Sequence, residues 1–161
     1  ECEMNKNRLT FLKEAFPGFK LQFAEDYSNA VIVNPNYDEN ITVHDDEYEF
    51  IVCFSFQHRH FEEENDLIDW IRKIISGNTF AIEFFNNEQR GFGGEIDAEE
   101  LQDLSYEKLE HFTGYYSLIK LFDVADSFKI RGWDSKNNFD YTMTCERNGN
   151  IAITQAFVGI H

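Results

Sequence analysis

Proline and cysteine are scarce in this chain of 161 residues, which holds two Pro and three Cys. Three unclustered cysteines, an odd number without Cys-x-x-Cys spacing, form neither a disulfide framework nor a thiolate zinc site and suit a reducing cytoplasm. No run of 18 apolar residues exists, which excludes a transmembrane helix. The N-terminus is polar, and Glu1-Cys2-Glu3 ahead of Met4 reads as an appended remnant rather than a secretory signal. Basic residues are few as well: 14 Lys and Arg stand against 30 Asp and Glu, a net of −16. A surface of that sign is expected to repel nucleic acid and anionic membranes.

What the chain has in quantity is aromatic side chains and acid. Seventeen Phe, seven Tyr and two Trp argue for a packed core and against disorder despite the charge. At 19.0 kDa, area scaling buries roughly 70% of the unfolded surface, enough for one domain without staples. The acid is unevenly placed. Residues 37 to 110 hold 20 acidic and five basic side chains, a net of −15, whereas the remainder holds ten against nine. Such a segment attracts a basic protein, a cationic ligand or metal ions; the plainer reading is that it keeps the protein dissolved.

Periodicity along the chain predicts one α+β domain of mostly antiparallel sheet with about three helices. Leu9, Leu12 and Phe16 recur at helical spacing before Pro17-Gly18. Phe19 to Phe23, Ala30 to Val33, Ile41 to His44 and Tyr48 to Phe56 read as strands, the last two joined by an acidic turn at Asp45 and Asp46. A helix is expected from Glu62 to Ser76, with Leu67, Ile68, Ile71, Ile74 and Ile75 as its apolar stripe and Gly77 closing it. Phe80 to Phe85 and Gly91 to Ile96 form the next strand pair. Asp97 and Glu100 suggest a capping box for a helix carrying Leu101 and Leu104, which Ser105 restarts through Leu109 and Phe112 until Gly114. The last third reads as strand: Tyr116 to Phe122, Ser127 to Trp133, Phe139 to Cys145 and Asn150 to Phe157. Asn148-Gly149 is its strongest hairpin signal. Short connections make the pairing antiparallel.

Few residues suggest chemistry. Read as one strand, Phe54, Phe56, His58 and His60 share a face, and two imidazoles at i and i+2 can both ligate one metal. That is the basis of an alternative reading, a metal-dependent enzyme or metal-binding protein centred on His58 and His60. A third ligand is not clearly placed: His44 is expected tens of Å away, His111 and His161 have no reason to approach, and Glu62, Glu63 or Glu64 could supply an oxygen. No tight structural metal is therefore expected. Arg90-Gly91-Phe92-Gly93-Gly94 lacks the spacing of a phosphate loop, and its glycines read as a bulge or close backbone approach. Cys53 and Cys145 read as buried, inert thiols, no serine sits in a Gly-x-Ser-x-Gly elbow, and Trp70 reads as packed. No catalytic residue and no cofactor follow.

The most pointed feature is Glu62-Glu63-Glu64-Asn65-Asp66, with Asp69 one turn on. A helix dipole is balanced by one or two carboxylates, so five acids in eight residues suggest a docking surface for basic side chains. A further alternative is a nucleic-acid mimic that fills a basic groove. Glu49-Phe50-Ile51-Val52, Phe54, His58-Arg59-His60-Phe61, the acidic helix, Ala81-Ile82-Glu83-Phe84-Phe85 and Phe92-Gly93-Gly94-Glu95-Ile96 together resemble small cytoplasmic proteins of Gram-positive bacteria. Some of those are encoded near secreted polymorphic toxins and are similar to immunity proteins. The resemblance spans residues 47 to 96 and implies a compact, non-enzymatic inhibitor that blocks a basic toxin by direct binding.

Overall fold

The computed structural model describes residues 7–113 and 120–158. Ten strands form two five-stranded antiparallel sheets, so the α+β class expected from periodicity is the one observed. The first sheet is a meander in which every strand pairs with its sequence neighbour: β1 (Leu21–Phe23), β2 (Asn29–Ile32), β3 (Ile41–Asp45), β4 (Phe50–Phe54) and β5 (Gln57–Phe61). The second sheet has the order β10-β9-β8-β6-β7. Its members are β6 (Thr79–Asn86), β7 (Gln89–Asp97), β8 (Ser127–Arg131), β9 (Phe139–Cys145) and β10 (Ile151–Phe157). Five α-helices occur among the described residues, and only α2 (Glu64–Ile75) exceeds five residues. The others are α1 (Phe11–Ala15), α3 (Ala98–Gln102), α4 (Tyr106–Leu109) and α5 (Leu121–Val124).

Alternation puts one face of each sheet in a core. Ala30, Ile32, Ile41, Val43, Phe50, Val52 and Phe54 point inward from the first sheet and pack under Leu12 of α1 and Leu67, Ile71 and Ile74 of α2. Phe80, Ile82 and Phe84 of β6 join Phe128, Ile130, Tyr141 and Met143 in a second cluster, closed by Leu109 and Leu121. The opposite face of β6 turns Ala81 into the first cluster, and Trp133, just beyond β8, is buried there too. Trp133 meets Phe19 and Phe54 at ring centroids 6.1 and 6.3 Å apart. Its carbonyl accepts from the buried Asn34 amide at 2.8 Å. The two sheets thus share side chains as well as chain.

Local chemistry explains most boundaries. The expected stop of α2 is a paired cap: Ser76 ends the helix, Gly77 adopts φ +77, its N–H donates to Ile74 C=O and Asn78 N–H donates to Lys73 C=O. The glycine-rich strand is indeed a bulge and a close approach. Register shifts between Glu83 and Phe85, and a Cβ on Gly93 would lie 2.7 Å from the Ile82 carbonyl oxygen. Asn148-Gly149 also turns a hairpin, with Gly149 at φ +85 and its N–H donating to Glu146 C=O.

Four expectations are corrected. The long strand ending at Phe56 breaks after Phe54, because Ser55 enters the left-handed region at φ +52 and a two-residue turn reverses the chain into β5. No Asn-Gly or Asp-Gly pair marks that turn. Asp97 precedes α3 but makes no side-chain cap bond, whereas Ser105 accepts from Lys108 N–H. Leu121 and Phe122, read as strand, begin α5; the rest of that expectation, with Gly114, falls on residues 114–119 outside the described chain. Among the described residues helices number five where about three were expected, because α3, α4 and α5 are each only four or five residues long.

Gly93→Ala is expected to lower unfolding free energy by about 1–3 kcal/mol, since the clash is with backbone. Gly18→Ala, where a Cβ meets nothing within 4 Å, serves as the neutral control in urea titrations. Glu39 offers a second test: burial raises its carboxyl above the ordinary 4.5. The folded state therefore holds that proton more tightly than the unfolded state, and the group costs stability above its folded pKa. Glu39→Gln should accordingly stabilise the fold at neutral pH, with the gain fading as pH falls towards 4.5.

Candidate functional site

The β4–β5 hairpin and α2 build one groove. Register pairs Phe50 with Phe61, Ile51 with His60, Val52 with Arg59 and Cys53 with His58. Directly paired residues share a face, so Arg59 and Phe61 lie on the side of Val52 and Phe50, beneath α2. His58 and His60 lie on the outer face. Since β5 is the sheet's last strand, Arg59 reaches past the edge and stays half exposed. Its guanidinium stands 5.5 Å over the Phe61 ring and 5.8 Å over Trp70. It also pairs with Glu95 of β7 at 3.3 Å.

Helix α2 supplies the other wall. Leu67, Ile71 and Ile74 occupy its buried stripe. Asp66, Asp69, Trp70 and Lys73 stand at i, i+3, i+4 and i+7, which places them on one flank. With Arg59, His60, Phe61 and Glu62 they line an open groove of about 400 Å³. Trp70 is 3% exposed and donates its indole N–H to the second Glu95 oxygen at 2.6 Å. Glu95 thus holds both an arginine and a tryptophan, one from each wall.

The expected docking acids divide here. Glu62, Glu63, Glu64, Asp66 and Asp69 are all exposed, but only Glu62, Asp66 and Asp69 line the groove. Glu63 occupies the N-cap position without a side-chain bond, and Glu64 and Asp66 are the first-turn acids. Elsewhere the acid has local work. In the turn after β3, Asp45 accepts from Glu47 N–H, and Asp46 accepts from the N–H groups of Tyr48 and Glu49.

The histidines are closer together than a single long strand allows. His44 pairs with Ile51 and Ile51 with His60, so His44 sits two strands from His60, roughly 10 Å at sheet spacing, not tens of Å away. The His58 and His60 rings lie 5.3 Å apart at 69°. Other partners hold two of the three: His60 Nδ1 meets Glu49 Oε1 at 2.6 Å, and His44 Nδ1 meets Asn29 Oδ1. His111 Nδ1 bonds the Lys108 carbonyl, and His161 falls outside the described residues. Among the described residues no three His, Cys, Asp or Glu side chains are grouped to hold a metal ion.

The thiols also depart from expectation. Cys53 and Cys145 are exposed rather than buried. Cys53 alternates with the core residues Val52 and Phe54, and alternation alone turns it outward. Desolvation by the surrounding sheet raises the Cys53 thiol above its ordinary value, the opposite of what an activated nucleophile needs. The residues that sequence reading passed over are Arg59 and Glu95 as an ion pair. They are separated by 36 positions, and no local pattern signals that contact.

Removing the Glu95 carboxylate should leave the Trp70 N–H unpaired in a buried position. Glu95→Leu is expected to cost about 1–3 kcal/mol, whereas Glu95→Gln, which keeps an acceptor, should cost less. Urea midpoints of the two variants measure the difference.

No family model, no curated protein and no solved structure matches the chain.

Proposed function

We propose that this protein is a non-enzymatic, acidic docking protein of the immunity type, acting in the cytoplasm to hold a basic, toxin-like protein by direct contact. The observation that carries this reading is the groove between β5 and α2. Three exposed carboxylates, those of Glu62, Asp66 and Asp69, surround a floor made by Phe61 and Trp70. The protein's own Arg59 already lies over that floor and pairs with Glu95. The three carboxylates offer oxygens to a partner's guanidinium, beside the cation that the protein itself already holds on the rings. A partner carrying arginine on a convex element matches both the shape and the charge of the site.

The net charge of −16 favours the same class of partner, through steering at long range. No helix among the described residues is long and apolar enough to cross a membrane.

The test divides the acids by geometry. Partners are sought among basic proteins encoded beside this one, and association rate is measured against ionic strength. Glu62→Gln, Asp66→Asn and Asp69→Asn together should slow association and flatten its salt dependence. Glu63→Gln with Glu64→Gln should do so less, because those residues do not line the groove. Exposed charges change affinity by about 1 kcal/mol or less each. Equal effects from the two sets, or none from either, would reject the groove as the docking face.

A further inference from the structure

Each sheet has two outer strands, and the four differ sharply in how they discourage pairing with another chain. β1 is three residues long. β5 carries His58, Arg59 and His60. β7 bears Arg90, Glu95 and Asp97 and is bulged against β6. Short length, charge and bulges are the devices that blunt an edge. β10, Ile151-Ala152-Ile153-Thr154-Gln155-Ala156-Phe157, has none of them: seven residues, no charge, no proline and no glycine. Among the described residues no strand pairs with its outer side. At its end stands Phe157, 61% exposed, one of two large apolar side chains left in solvent among the described residues.

The hydrogen-bond phase of β10 is readable from its ends. Glu146 N–H donates to Asn150 C=O, and Val158 N–H donates to Asn138 C=O. Even-numbered residues of this strand therefore face β9, and Ile151, Ile153, Gln155 and Phe157 direct their N–H and C=O groups outward.

We propose that β10 pairs antiparallel with β10 of a second copy about a two-fold axis through Thr154, joining two five-stranded sheets into one of ten. The strand's own order is the argument for this occupant. Reflected about Thr154, Ile151 meets Phe157, Ala152 meets Ala156, Ile153 meets Gln155, and Thr154 meets itself. The outward-bonding residues pair only with one another, and four such pairs exchange about eight hydrogen bonds. Phe157, which already packs on Phe139 at 5.4 Å, lies across the half-buried Ile151 of the other copy. Two small Ala pairs and a Thr pair fill the opposite face. No like charges are opposed within the strand, even though each copy carries −16.

The contact is smaller than the roughly 800 Å² per subunit of a standard interface, so the dimer is weak and appears as concentration rises. Salt strengthens it by screening repulsion between two acidic copies. That is opposite in sign to docking of a basic partner, and this inference stands apart from the proposed function.

The experiment is sedimentation velocity of the whole chain from about 10 μM to about 1 mM, at low and high salt. Wild type should shift from monomer to dimer with concentration, more so in high salt. Thr154→Lys places two like charges face to face on the axis and should weaken the dimer about fivefold or more. Gln155→Pro removes an outward N–H without touching the bonds to β9 and should abolish it. Thr154→Cys, with Cys2, Cys53 and Cys145 changed to Ser, should form a disulfide-linked dimer on oxidation. A monomer at every concentration, or a dimer indifferent to both Thr154→Lys and Gln155→Pro, overturns the proposal; the far-ultraviolet spectrum of each variant establishes that it is folded.

Discussion

The insertion of Trp133 between the two sheets is the contact on which the rest of the molecule depends. Each sheet has its own apolar cluster, and Trp133 leaves the end of β8 to complete the other sheet's cluster against Phe19 and Phe54. Its backbone is held at the same point, since Asn34 donates to the Trp133 carbonyl and Tyr37 donates its hydroxyl to Gly132 C=O. Truncating a buried tryptophan generally costs about 3–5 kcal/mol. Here the loss would fall on the joint between sheets rather than inside either one.

The chain's second tryptophan closes the other end of that joint. Trp70 rises from α2 on the first sheet and donates to Glu95 of β7 in the second. Arg59, from the edge of the first sheet, reaches the same carboxylate. The two tryptophans therefore act alike, each filling a core with its ring while a neighbouring polar bond crosses to the other sheet. The candidate docking groove is a by-product of this joint: its floor is Trp70 and Phe61, and its fixed arginine is the one that ties β5 to β7. A partner arginine entering there would meet the carboxylates of Glu62, Asp66 and Asp69, because Arg59 already covers the rings. The far edge, β10, lies at the opposite side of the second sheet's strand order, so pairing there leaves the groove open.

Much of this was legible from residue order. Strands β2, β3, β6, β8, β9 and β10 follow runs of β-branched and aromatic residues, and α2 follows its 3.6-residue stripe to the glycine that ends it. Where reading failed, the cause was a contact or a backbone angle that composition does not announce. Ser55 turns the chain with no glycine present, and from that single positive φ follow the register of His58 and His60 and the distance to His44. The apolar neighbours of Cys53 suggest burial, yet a strand with one covered face turns alternate residues to solvent whatever their type.

By itself the sequence determined the class of fold, the acidity of the middle segment and the position of the longest helix, because periodicity, charge and capping act between residues close in the chain. It also set the near-palindrome of β10, a property of seven consecutive residues. Only the tertiary structure decided that Glu62, Asp66 and Asp69 share a groove that Glu63 and Glu64 do not line. It alone joined Arg59 to Glu95, and among the described residues it left β10 with no strand on its outer side. Those facts depend on which strand ends a sheet and which wall faces a helix, and both are settled by long-range packing of aromatic side chains rather than by any local preference.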